Sequence, residues 1–352
     1  MQKTKFAILR NEDPYDHLLW EKACEAYASQ LEYETIDITN SDWLTKIQSY
    51  NPSFLLLKPP GKTRLFHNLY IERVAILVFD LGYKTYPSFN EIRIYENKRF
   101  FSYWAKAHSI PHPKTYVFYD RKEAIEDTKD IRLPIVGKMN IGASGKGIVF
   151  LKSRHDLIQY INKAFREGIR SKTGPKLKQG KIIKRILAKI KNHKELINRL
   201  KTYKAILSDK QIGFIILQEY IPHSFEWRVI RIGDSFFAHK KLVTSDKASG
   251  SLIKKYENPP IDLLNYVKDL TDRFCFFSQS VDIFEPKEGE FLVNEMQCIF
   301  GQSDPYQMLV NGMPGRYRYI CNDWVFEKGM FNDNESFNLR VNHILSLIKN
   351  QK

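Results

Sequence analysis

The sequence predicts an α+β protein in which an N-terminal α/β domain precedes two α+β lobes. Three observations lead there. The first hundred residues alternate apolar strand-like runs with amphipathic helical stretches. A glycine-rich loop, NIGASGKG, lies between two β-branched runs. The C-terminal half carries antiparallel strand patterns that end in the acid-bearing strings VDIF and FLVNEMQ.

Each element follows in order. KFAILR reads as a first strand, a helical pattern runs through Trp20, Ala23 and Tyr27, and YETIDI, a second helix and SFLLLK complete βαβ grammar. A small parallel sheet covered by helices is implied. Pro59, Pro60 and Gly61 interrupt it before a helix around Val74 to Leu81 and the turn signal YPSFN. KRFFSYWAKAHSI reads as a helix that stops before Pro111 and Pro113. A new unit then runs strand TYVFY, helix DRKEAIE, strand PIVGKM, the glycine loop, strand IVFLK and helix HDLIQYINKAF. A glycine loop joining two strands is a hairpin loop, unlike a Walker loop, which must feed a helix. FIILQEYI, EWRVIRIG and SFFAHKKLV are expected as three strands of one antiparallel sheet, followed by a helix from Leu263 to Phe277, the two acid-bearing strands and a closing helix from Asn338 to Lys349. The expected domains are 1–97, 98–220 and 221–352.

At 352 residues, 43% hydrophobic and 13% aromatic, the chain is long and apolar enough for several buried cores, which excludes whole-chain disorder. No run is long enough to span a bilayer, and the apolar part of MQKTKFAILR is too short for a signal-peptide core. Cys24, Cys275, Cys298 and Cys321 form no CxxC pair, so neither a disulfide framework nor a cysteine zinc site is expected and a reducing cytoplasm fits. The net charge of +15 is concentrated: Arg170 to Lys210 holds fourteen Lys and Arg against Glu195 and Asp209. An insertion at 171–210 with lysines on one side and isoleucines on the other reads as a solvated helix packed on its own domain, or as a peripheral contact to an anionic membrane or acidic glycan. Nucleic acid is not an expected partner.

Three constellations carry chemistry. Lys138 ends an apolar strand just before Gly142, Ala143, Ser144, Gly145 and Gly147. A strand lysine beside amides that no side chain screens suits a triphosphate; an exposed hairpin with a chance lysine is the other reading. ILQEYIP, with Gln218, Glu219, Tyr220 and Ile221, precedes EWRVIRIG, so main-chain groups could meet an adenine edge and Glu226 could accept ribose hydroxyls; a plain hairpin with surface glutamates is the other reading. Asp282 and Glu295 lie on neighbouring strands with Gln297 on the face of Glu295. Hard oxygen donors there suit magnesium, against two solvent-facing acids on an edge strand.

The order and joint occurrence of these pieces resembles the ATP-grasp superfamily over essentially the whole chain. The resemblance matches Lys98 in ENKRFFSYW to the helix-opening lysine, Lys138 to the strand lysine and IGASGKG to the loop that closes over phosphates. Glu219, Tyr220 and Ile221 match the adenine hinge, Glu226 the ribose carboxylate, and Asp282 and Glu295 the metal-binding acids. The chain departs from the family's E-x-N at Glu295, Met296 and Gln297, where the amide oxygen sits on a longer arm. EWRVIRIGD, HKKLV and KASGSLIKKY further resemble ATP-grasp proteins of bacterial surface-polysaccharide pathways.

The resemblance implies two α+β lobes enclosing ATP with Mg²⁺, two ions in the family's usual form, and an acyl phosphate made from a carboxylate and displaced by an amine. It implies that Lys98 and Lys138 hold the α and β phosphates and the glycine loop the γ end. Arg228 and Lys241 would stabilise the acyl phosphate and the tetrahedral oxyanion; a structural ion pair with a nearby acid is the other reading for Arg228. Two further function classes remain: a phosphotransferase acting on a hydroxyl, and a basic adaptor for membrane or nucleic acid using 171–210. No Ser-His-Asp order, HExxH or GxSxG string offers a hydrolytic centre.

Overall fold

The computed structural model describes residues 3–13, 15–58, 61, 63–142, 147–170, 208–243, 253–300 and 304–350. The chain forms two compact units, one of residues 1–61, 65–113 and 221–352, the other of 62–64 and 114–220.

The first unit opens on a four-stranded parallel sheet ordered β2-β1-β3-β4, from β1 (Thr4–Arg10), β2 (Leu31–Asp37), β3 (Phe54–Leu56) and β4 (Thr85–Tyr86). Phe6, Ala7, Ile8 and Leu9 are all fully buried, as strands covered on both faces require. The cover includes α1 (Leu18–Ala26), α2 (Trp43–Tyr50) and α3 (Arg64–Ala75), the last continuing as a π-helical turn over Ile76–Asp80. This helix begins well before the expected Val74, because His67 and Tyr70 occupy its buried face and blur the apolar period. The string YPSFN supplies β4 and then Ser88, which caps α4 (Phe89–Ile94) in a capping box with Glu91. The C-terminal helix α9 (Phe337–Lys349) returns to this core, burying Phe337, Val341, Ile344 and Leu345 on one face, with the Phe337 ring edge-on to Trp20 at 4.9 Å.

The same unit carries an eight-stranded antiparallel sheet. Its strands are β9 (Phe225–Ile232), β10 (Ser235–Leu242), β11 (Lys254–Lys255), β12 (Ser278–Phe284), β13 (Leu292–Gln297), β14 (Leu309–Val310), β15 (Met313–Ile320) and β16 (Asp323–Lys328). The main order is β13-β12-β9-β10-β15-β14, with β11 on β10 and β16 on β15. Helices α5 (Lys98–Ala107) and α8 (Ile261–Arg273) contribute Phe101, Ala105, Leu263, Leu264 and Val267 to its core.

The second unit is a four-stranded antiparallel sheet ordered β5-β8-β6-β7, from β5 (Thr115–Phe118), β6 (Ile135–Lys138), β7 (Ile148–Leu151) and β8 (Ile215–Glu219). Helices α6 (Arg121–Asp127) and α7 (Arg154–Arg166) close its core. One expectation is corrected here. FIILQEYI does not share a sheet with EWRVIRIG and SFFAHKKLV: its strand β8 pairs with β5 and β6, whereas β9 and β10 pair with each other. Pro222 has no N–H to donate and interrupts the chain between β8 and β9, while alternation along a strand reports which face is buried and not which strand is its neighbour.

Candidate active site

Register places the polar residues of the large sheet on one face. Arg228 of β9 stands opposite Asp282 of β12 and His239 of β10, and Glu226 stands opposite Lys241. Directly paired residues point to the same side. The Arg228 guanidinium grips Asp282 with two bonds, Nε to Oδ1 at 2.8 Å and Nη2 to Oδ2 at 2.9 Å. Lys241 Nζ lies 2.7 Å from Asp282 Oδ2 and 2.7 Å from Glu226 Oε2. Asp282, Glu226 and Lys241 are all buried.

Burial pushes the Asp282 carboxyl up, but Arg228 and Lys241 outweigh it and hold the group well below the usual carboxylate range. Burial likewise opposes the charged form of Lys241, and Asp282 and Glu226 reverse it, so the ammonium titrates above its ordinary value. Four charges in balance, three of them buried and Arg228 half-buried, are weak evidence for stability, since desolvation offsets their attraction. They suit a site that must neutralise charge in the absence of water.

Glu295 of β13 stands directly opposite Asp282. The pairing then slips: Ile283 pairs with Val293, leaving Asn294 as the extra residue of a bulge. The bulge turns Asn294 Nδ2 onto Glu226 Oε1 at 3.3 Å. Lys98, the first residue of α5, brings Nζ to 3.6 Å from Glu295 Oε1, and the Asn97 side chain caps that helix by accepting from Phe100 N–H. Glu295 Oε1 is buried and accepts no hydrogen bond. An orphaned anionic oxygen facing Asp282, with Gln297 two residues along the same strand face, is a donor set that fits a hard divalent cation. Among the described residues no cluster of three or more His, Cys, Asp or Glu forms a metal nest, so two acids and an amide are the set on offer.

The expected residues of the second unit form their own group. Lys138 is buried at the end of β6, and β6 and β7 make the hairpin that the glycine loop joins. A Cβ on Gly147 would lie 2.7 Å from Met139 Cβ, and Gly142 has φ +144°, so both positions call for glycine. Ser144 and Gly145 lie outside the described residues, as does 171–207 of the basic insertion. Gln218 is buried and donates to Thr115 Oγ1 at 3.0 Å; Glu219 N–H donates to Lys114 O at 2.8 Å. The Tyr220 ring stands edge-on to Phe150 at 5.7 Å. In the first unit, Ile221 O accepts from His223 Nδ1 at 2.6 Å when that nitrogen carries the proton. The Glu219 N–H and the Ile221 carbonyl thus have partners within the chain.

Sequence reasoning picked out Lys98, Glu226, Arg228, Lys241, Asp282, Glu295 and Gln297, and the large sheet carries or flanks all of them on one side. It missed Asn294 and His239. A polar Asn within LVNEMQ is a faint signal of the bulge; nothing local marks His239.

No protein-family model matches the chain. Over 87 residues it is 31% identical to the alpha-aminoadipate–LysW ligase LysX of Saccharolobus solfataricus, a match covering 25% of this chain and 32% of that protein, so about a third of the relative's length is spanned. The structure is similar to D-alanine–D-alanine ligase from Bacillus anthracis complexed with ATP, at TM-score 0.54 and 12% identity over 100% of both chains. It is also similar to the ADP complex of purK, N5-carboxyaminoimidazole ribonucleotide synthetase, at TM-score 0.53 and 16% identity over 93% of this chain and 79% of that one. The chain has the ATP-grasp fold.

Proposed function

We propose that this protein is an ATP-dependent carbon–nitrogen ligase that activates a carboxylate as an acyl phosphate and joins it to an amine. The observation that carries the reading is the ion network of buried Glu226, Lys241 and Asp282 with half-buried Arg228, beside Glu295 on the same sheet and Lys98 at the start of α5. The ligase names of two matched proteins and the synthetase name of a third support the class.

Asp282, Glu295 and Gln297 would hold Mg²⁺, which when bound supplies charge neutralisation for bridging phosphate oxygens. Arg228 and Lys241 set two cations in a dry setting where charge develops on the transferred phosphoryl group and on the tetrahedral oxyanion. Lys98 adds a third cation at the opening of α5. In the second unit Lys138 and the backbone around Gly142 to Gly147 are assigned to nucleotide phosphates. Glu226, engaged by Lys241 and Asn294, is assigned to the ribose hydroxyls. Main-chain groups of Gln218 to Ile221 that the β5 and β6 ladders and the His223 contact leave open are assigned to adenine. An amino acid or a surface-glycan precursor is the proposed carboxylate class. No described helix is long and apolar enough to cross a membrane, and a peripheral membrane or acidic-glycan contact is assigned to 171–210.

The test is a thermal-shift screen with Mg-ATP against pools of amino acids, dicarboxylates and amino sugars, followed by ADP release. ADP release that needs both a carboxylate and an amine supports the ligase. Release coupled to a phosphorylated alcohol replaces it with a phosphotransferase.

A further inference from the structure

His239 is buried to 1% exposure on the site face, opposite Arg228 and two residues before Lys241 on β10. Its Nδ1 lies 3.0 Å from the main-chain oxygen of Gln307, which can only accept. That contact assigns the proton to Nδ1 and leaves Nε2, at the opposite edge of the ring, as a lone-pair acceptor. The Gln307 backbone is itself held: its side-chain Nε2 donates to Asn332 Oδ1 at 2.8 Å and to Ser336 Oγ at 3.2 Å. The ring packs against Tyr256, whose hydroxyl reaches Asp304 at 3.2 Å, and Asp304 in turn pairs with Lys254 at 2.6 Å.

A buried imidazole that served only packing could be replaced by an apolar side chain of similar volume, with no polar nitrogen to satisfy. Here burial, followed by the fields of Arg228, Lys254 and Lys241, keeps the ring neutral, with its pKa lowered to about 3. The same field disfavours an incoming ammonium, so an amine arriving beside it is driven towards its nucleophilic, uncharged form.

We infer that His239 is the proton-accepting group of the amine-acceptor subsite, aligned by Gln307 and walled by Tyr256 and Asp304, and that the acceptor is a primary amine. The inference rests on the ligase reading. The amine lone pair attacks the acyl-phosphate carbon, forming the C–N bond. The C–O bond to phosphate then breaks, and inorganic phosphate leaves with that electron pair. One N–H proton passes to His239 Nε2, whose basicity the phosphate's negative charge beside Arg228 and Lys241 restores, and then to solvent.

The experiment uses the full chain with Mg-ATP, a pool of amino acids and dicarboxylates as carboxylate source, and hydroxylamine as the probe amine, reading ferric hydroxamate. His239→Asn keeps a donor for Gln307 O and deletes the Nε2 position; His239→Gln puts an amide there, which can accept a hydrogen bond but not a proton. Expected at pH 7 is a fall of about 10²-fold in the hydroxylamine efficiency of both His239→Asn and His239→Gln, since neither amide is a base; the fall narrows as pH rises and hydroxide takes the proton instead, the KM for ATP staying within about twofold in both. Equal hydroxamate yields from wild type and His239→Asn overturn the role of His239 alone. So does a fall of the same size at every pH from 6 to 9, which marks a packing role. No hydroxamate from the wild type, with intact Mg-ATP binding, overturns the ligase reading itself.

Discussion

Lys241 Nζ lies 2.7 Å from Asp282 Oδ2 although β9 runs between their strands, so one ammonium spans the middle of the sheet face. The same nitrogen is 2.7 Å from Glu226 Oε2, and two buried carboxylates therefore depend on it. Lys241→Met leaves Arg228 to balance both. Removing one partner of a buried network costs about 3–5 kcal/mol, chiefly as an uncompensated charge. Urea unfolding should show that loss, and Lys241→Met/Glu226→Gln should recover part of it because Arg228 and Asp282 then balance. A single variant within about 1 kcal/mol of wild type would show that the quartet is not dry.

Two buried acids bend the pH profile of stability in opposite directions. Asp282 titrates below its ordinary value in the folded state, so its contribution is complete above the unfolded carboxylate pKa, near 4, and disappears on acidification below it. Glu91 behaves oppositely. Burial lifts it from 4.5 to about 7, against the pull of the Ser278 and Ser88 N–H groups that its carboxylate accepts. Between those values the folded protein keeps a proton that the unfolded chain has released, so stability falls as pH rises and levels off above about 7. At about 1.4 kcal/mol per pH unit the decline is on the order of 3 kcal/mol. Glu91→Gln should start lower by about 1–3 kcal/mol, because an amide offers one acceptor where two donors point, yet should lack the slope. Urea midpoints from pH 5 to 8 compare the two, and parallel slopes would reject the assignment.

The parts of this molecule legible in the sequence are those whose signal is local. The βαβ opening is carried by apolar runs that adjacent helices cover, the glycine loop by a hairpin whose strands flank it, and Asp282 with Glu295 by two acids in otherwise apolar strands. What local pattern cannot encode is partnership. The sheet that β8 joins is decided by β5 and β6, which supply Thr115 to Phe118 and Ile135 to Lys138. The bulge at Asn294 exists only as a mismatch between two strands. His239 acquires its tautomer from a carbonyl 68 residues away. Glu226, noticed for its spacing from the hinge string, also belongs to an ion network that spacing does not reveal.

Gly137 shows packing constraining chemistry at one remove. It precedes Lys138 on β6, and a Cβ built there would lie 2.7 Å from the Tyr160 ring of α7. That ring is buried and its hydroxyl has no hydrogen-bond partner, so it has little room to turn. Gly137→Ala should cost about 1–3 kcal/mol of stability by overpacking and weaken ATP binding through the displaced lysine. Adding Tyr160→Leu should relieve part of both losses. Chemical denaturation and nucleotide titration of the single and double variants measure the coupling, and purely additive effects would separate Gly137 from Tyr160.

Glu295 separates ligand chemistry from folding most cleanly. Its carboxylate is about one-fifth exposed, with side-chain relative exposure of 21%, and its ion pair with Lys98 is long at 3.6 Å. Glu295→Gln should therefore change stability by less than about 1 kcal/mol. Glu295 Oε1 accepts no hydrogen bond and has only the long Lys98 contact to lose, which leaves it open to a second cation. If that cation is magnesium, the thermal stabilisation by Mg-ATP should shrink in the variant, whereas that by ATP with EDTA should match wild type. A tenfold loss of affinity lowers the stabilisation at saturating ligand by about 1.4 kcal/mol, which is readable as a shift in melting temperature. Gln297→Asn, which shortens the neighbouring amide arm, should alter the Mg-ATP response and spare the ATP-EDTA one. Equal loss under both conditions would transfer Glu295 from the metal to the folding of β13 against β12.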